Sequence, residues 1–152
     1  MKRKTMCFCI VLMLTGITCL SAQMSKKQLQ DMYVAYLTSE GYNPSVDKDG
    51  DVNFTAEGHK FYINVMADDL QSFQLVLTNF LDAGSDRVRA FEAASYATRT
   101  TRVVRVYMTS SNKIAIDAYI FIGKPEDFKL HLKRLISVIL TARTDYLDRV
   151  GK

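Results

Sequence analysis

Proline and glycine are scarce, at 2 and 7 of 152 residues, which excludes low-complexity linkers and a collagen-like fibre. Histidine occurs only at positions 59 and 131. Cysteine occurs three times, as Cys7, Cys9 and Cys19, all near the N-terminus. Nothing beyond residue 19 can therefore form a disulfide or a thiolate metal site. What is present is ordinary globular composition, 48% hydrophobic and 24% charged. That excludes a disordered tail and a polytopic membrane protein, and the length predicts one domain.

The segment from Met1 to Ala22 predicts a secretory signal peptide. Lys2, Arg3 and Lys4 form a basic start, Met6 to Leu20 is an uncharged apolar run, and Leu20-Ser21-Ala22 offers small-residue cleavage. The run is fifteen residues, short of the ~20 that span a bilayer. Cleavage after Ala22 leaves one domain, residues 23–152, and no integral membrane segment. It removes three of 20 basic residues, so 17 face 16 acidic ones and the net charge falls from +4 to +1. A nucleic-acid surface is poorly supported at that charge. The expected location is the periplasm or the exterior. The alternative is a lipoprotein anchored through Cys19, although Gly16-Ile17-Thr18 is a poor lipidation site.

Periodicity predicts the elements. Leu29, Met32, Tyr33, Tyr36 and Leu37 fall on one face of a helix from Ser25, its N-cap, to about Glu40, stopped by Gly41. Val52, Phe54 and Ala56 then alternate with polar residues, as do Phe61, Ile63 and Val65, with turns at Asp47–Asp51 and Glu57-Gly58. Leu70 to Leu81 fits a strand or a helix. Its β-branched residues and the preceding meander favour a strand. A second helix covers Ser85 to about Thr100, with Ala90, Ala93, Ala94 and Ala97. Two strands follow, Arg102–Met108 and Lys113–Ile122, around Ser110-Ser111-Asn112. Gly123-Lys124-Pro125 ends the second, and Phe128, Leu132, Leu135, Ile136, Ile139, Tyr146, Leu147 and Val150 mark a long last helix. The expected fold is α+β: three helices and an antiparallel sheet of about five to six strands, in the order α-ββββ-α-ββ-α.

Candidate chemistry is thin. Asp47, Asp49 and Asp51 suggest a calcium loop, but such a loop needs its glycine at position six and an acid at twelve. Here the glycine is Gly50, at four, and position twelve is Gly58, so a hairpin turn accounts for them. Two isolated histidines make no zinc site, and no nucleophile elbow or phosphate loop is present. No metal or cofactor is expected. Asp68, Asp69 and Asp117 are the acids open to an envelope enzyme acting on glycans. Arg87, Arg89, Arg99, Arg102 and Arg105, with Tyr96 and Tyr107 among them, read as a solvated, salt-bridged face rather than a single-strand platform.

If the aliphatics point inward, the other side of the sheet carries Tyr62, Met66, Val76, Phe80, Val103, Tyr107, Tyr119 and Phe121. A solvated sheet face is mostly polar. This one is rich in aromatics and suits a protein or peptide partner, or a second copy of the chain. Tyr62, Met66, Tyr107, Tyr119 and Phe121 are the candidate partner-binding residues.

The element order, with Glu40-Gly41-Tyr42 leading to Asp49-Gly50-Asp51-Val52-Asn53-Phe54 and then Glu57-Gly58-His59-Lys60-Phe61-Tyr62-Ile63, resembles the YbjN family, whose fold is that of the type III secretion chaperones. The likeness extends across nearly the whole mature chain. It implies an α+β binding domain, often dimeric, with no catalytic residues to carry over, in a family whose names mention sensory regulation. The reading that follows is an exported, non-enzymatic binding or adaptor domain. The alternatives are the glycan enzyme and a lipid or small-molecule carrier with an internal cavity.

Overall fold

A computed structural model describes residues 24–151, so the predicted leader, its cleavage site and Cys19 lie outside the described residues. Helix α1 (Lys26–Ser39) is followed by strands β1 (Ser45–Val46), β2 (Val52–Ala56), β3 (His59–Asn64) and β4 (Ser72–Asp82). Helix α2 (Arg87–Thr100), strands β5 (Val104–Met108) and β6 (Lys113–Phe121), a 3-10 turn (Pro125–Asp127) and helix α3 (Phe128–Val150) complete the order. All strand pairs are antiparallel, in the spatial order β1-β2-β3-β4-β6-β5. The α+β architecture is the one expected from the pattern.

Local chemistry sets the helix ends. Ser25 and Gln28 cap α1 reciprocally: Gln28 N–H donates to Ser25 Oγ at 3.3 Å, and Ser25 N–H donates to Gln28 Oε1 at 2.8 Å. Asp86 caps α2 by accepting from Arg89 N–H at 3.0 Å. Pro125 opens the 3-10 turn rather than α3 itself, and Gly151, in the left-handed region at φ 72°, ends α3.

The three helices share one face of the sheet. Leu29, Tyr33 and Leu37 of α1, the four alanines of α2, and Phe128, Leu132, Leu135, Ile136, Ile139, Ala142 and Tyr146 of α3 join one core. The sheet supplies Val52, Phe54, Phe61, Ile63, Phe73, Leu75, Leu77, Val104, Val106, Ile114, Ile116 and Ala118. Phe128 is the aromatic hub, with Tyr33, Tyr36 and Phe73 ring centroids at 4.8, 5.0 and 5.5 Å. On α2 the buried side is alanine alone, and Val88 and Phe91 point to solvent. Its small side chains let α2 lie close to both α3 and β5.

The region with two readings, Leu70 to Leu81, is the strand β4, the longest of the sheet. One expectation along it fails. Phe80 does not point to the open face: its ring lies 5.8 Å from that of Tyr146, edge-on, with the Arg143 guanidinium 5.6 Å away. The cause is a bulge. Leu77 pairs with Ile116 and Leu81 with Ile114, so β4 spends four steps where β6 spends two. Asn79 takes up the slack at φ 47°. Strict alternation is lost there, and Phe80 turns toward α3.

The outer strand β5 is protected. Val106 N–H donates to Thr98 Oγ1 of α2 at 2.9 Å, which occupies a backbone group facing away from β6. The opposite edge, β1, is only two residues long.

Candidate docking face

The face away from the helices is built by register. One row crosses five strands as Asn53, Tyr62, Val76, Asp117 and Arg105. The next holds Asn64, Gln74 and Tyr119; Ser72 pairs with Phe121, and Tyr107 with Ala115. Val76 and Ala115 are buried here yet stand outside the helix-side core.

The centre of this face is polar and internally satisfied. Asn64 Nδ2 donates to Gln74 Oε1 at 2.9 Å, and Gln74 Nε2 donates to Asp117 Oδ2 at 2.6 Å. Arg105 closes the chain with a two-pronged contact, Nε to Oδ1 at 3.1 Å and Nη2 to Oδ2 at 2.5 Å. The Asp117 side chain is 2% exposed, and that of Arg105 is 65% exposed. The hydrogen bond and charge of Asp117 raise the Arg105 pKa further above its usual value. With both oxygens engaged, Asp117 is a positioned structural carboxylate rather than a free base. A second chain runs from Tyr119 OH to Ser72 Oγ at 2.7 Å and from Ser72 Oγ to Asp69 Oδ2 at 2.5 Å.

Around this centre stand the aromatics. Tyr62 is half-buried, and its hydroxyl pKa is pushed up to about 12, first by burial and then by Tyr107 and nearby carboxylates. Tyr107 is half-buried, with the Arg105 guanidinium 5.2 Å from its ring. Tyr119 and Phe121 are 42% and 82% exposed and meet edge-on at 5.8 Å. Met66 lies beyond the end of β3 in the following turn, half-buried. Val103 immediately precedes β5, exposed and at φ 61°. A β-branched residue in the left-handed region costs on the order of 1–3 kcal/mol.

The other sequence candidates separate. Asp68 is exposed, Asp69 is held by Ser72 and by the Gln71 N–H, and Asp117 is tied to Gln74 and Arg105. Asp47 accepts from the Asp49 and Asp51 N–H groups and from Asn53 Nδ2, which lowers its pKa; the Asn53 bond contributes most. It is the hairpin pivot that the glycine spacing indicated. The turn also docks on α1, with Gln30 Nε2 donating to Gly50 O at 2.7 Å. His59 is half-buried and His131 exposed. Burial, and secondarily Arg143, lower the His59 pKa. Among the described residues no group of three or more His, Cys, Asp and Glu is placed to hold a metal ion. Among them, too, no helix is long and apolar enough to cross a membrane.

The Arg105–Asp117 pair went unseen in the sequence, where Arg105 read as one of a solvated cluster. A signal was present: the two residues are equidistant from Ser111, at the centre of the turn, and so face each other across the hairpin.

A family model covers residues 13–151 of the chain and is described as "Putative bacterial sensory transduction regulator", the YbjN family. The chain belongs to the YbjN family. No curated protein matches it. The YbjN description names a regulator and not a catalyst, which accords with a domain whose buried carboxylate is fully engaged.

Proposed function

We propose that this YbjN domain is an exported, non-enzymatic adaptor that docks a protein or peptide partner, or a second copy of itself, on the sheet face opposite the helices. Tyr62, Met66, Tyr107, Tyr119 and Phe121 are its contact residues. The observation that carries the reading is the build of that face. All three helices pack on the other side, while here Phe121 is 82% exposed beside a polar strip that satisfies its own hydrogen bonds. The Asn64, Gln74 and Asp117 side chains of the strip already hold one another, Arg105 keeps a solvent-facing charge at its end, and the aromatic rim supplies apolar area. Export rests on the basic start and the apolar run between Met1 and Ala22.

The test is the double variant Tyr119→Ser/Phe121→Ser in the chain that begins at Gln23. Light scattering and partner titration are expected to show weaker association, with a melting temperature close to wild type. A loss of several kcal/mol of stability, on the order of a core lesion, identifies these rings as core and refutes the docking face.

A further inference from the structure

At the end of the sheet where β5 begins, a second surface opens between β6 and α3. Its apolar floor is Val103, Ile120, Leu135 and Val138, and Phe121 forms one wall. Its charged rim is Arg102, Arg134 and His131, and no carboxylate lines it. It encloses about 360 Å³, at the small end of ligand pockets, which run from roughly 300 to 1,000 Å³.

Three observations point to an occupant. First, Arg102 and Arg134 are exposed, and among the described residues neither side chain has a hydrogen bond or ion pair. Other arginines are engaged: Arg105 by Asp117, Arg87 by Asn112, and Arg99 and Arg149 by the Tyr96 ring. Second, Val103 is held with positive φ and 56% exposed at the mouth of the groove, where a glycine would sit without strain. The segment before it is pinned, because the Thr100 and Thr101 hydroxyls both donate to Asp145 Oδ2, at 2.9 and 3.0 Å. Third, the groove is continuous with the docking face through Phe121 and Val103.

We infer that this groove binds a peptide segment in which apolar side chains alternate with carboxylates, the apolar groups on Val103, Ile120, Leu135 and Val138 and the carboxylates on Arg102 and Arg134. The rim of Arg102, Arg134 and His131 above an apolar floor suits an anionic peptide better than an uncharged lipid tail. The inference names the partner chemistry and rests on the adaptor reading, but Tyr62 and Tyr107 of the sheet face do not line the groove, so variants there leave it intact.

The probe is a short fluorescein-labelled peptide of alternating leucine and aspartate, followed by anisotropy against the chain that begins at Gln23. Binding is expected, and it should weaken as salt is raised. The double reversal Arg102→Glu/Arg134→Glu should weaken it about tenfold or more without changing the melting temperature, because both side chains are exposed and unpaired. Val138→Ser should weaken it through the floor. Equal binding of a leucine–lysine peptide, or wild-type affinity in the arginine double variant, overturns the inference. So does binding to phosphatidylglycerol vesicles without binding to the peptide. Tyr62→Ser/Tyr107→Ser separates the two sites. If that variant abolishes peptide binding and the arginine variant does not, the peptide lies on the open sheet face: the groove is refuted and the adaptor reading stands.

Discussion

Asp117 and Arg105 show how unequal the two halves of one ion pair are. The carboxylate is shut away from solvent, while most of the guanidinium side chain is wet. Removing Arg105 strands a buried charge with only Gln74 for company. Removing Asp117 frees an arginine that water can solvate. Arg105→Ala should therefore cost about 2–3 kcal/mol, below the 3–5 of a fully buried pair because the site is part-solvated. Asp117→Ala also takes the acceptor from Gln74 Nε2 but leaves no buried charge, and should cost less, about 1–2 kcal/mol. Urea melts of both variants check the order, and an equal or reversed cost shows that the pair is not the anchor of the open face.

At the scale of an element, α2 depends on size rather than on hydrophobicity. Ala90, Ala93, Ala94 and Ala97 are its entire buried face, and Ala93 is 0% exposed. A larger side chain there must push the helix off β5 and α3. Ala93→Leu is expected to destabilise by about 1–3 kcal/mol through overpacking, although it adds apolar surface. The exposed Phe91→Leu on the same helix should stay within about 0.5 kcal/mol. Thermal denaturation of the two side by side reads the contrast directly, and a stabilised Ala93→Leu protein excludes close packing at α2. The same scale explains Phe80. Alternation holds up to Leu77 and is lost inside the bulge around Asn79, where Phe80 turns toward α3.

For the whole molecule, the outer edge of β5 decides whether another strand can add to the sheet there. Thr98 occupies the outward backbone N–H of Val106, so strand addition at β5 is blocked at its midpoint. Thr98→Val keeps the shape and removes the acceptor, and it should expose the β5 edge. Concentration-dependent association in light scattering is the expected result, whereas a variant unchanged in association and stability means that Thr98 guards nothing.

Much of this was legible in the linear pattern. The stripes of α1 and α3, the Ser25 cap, the Asp47 turn and the inward set of β6 follow from periods of 3.6 and 2 and from turn chemistry, which act over a few neighbouring residues. The aromatics of the face were legible for the same reason, because alternation assigns every second side chain to one side. Local sequence by itself therefore determined the elements, their order and which residues share a face. Only the tertiary structure decided which residues meet across strands: the Asn64–Gln74–Asp117–Arg105 chain, the turn of Phe80 toward α3, the guarding of β5 by Thr98, and the groove between β6 and α3. Those depend on strand register and on how helices seat on the sheet. Both are set by packing among residues far apart in the chain, where no local period acts.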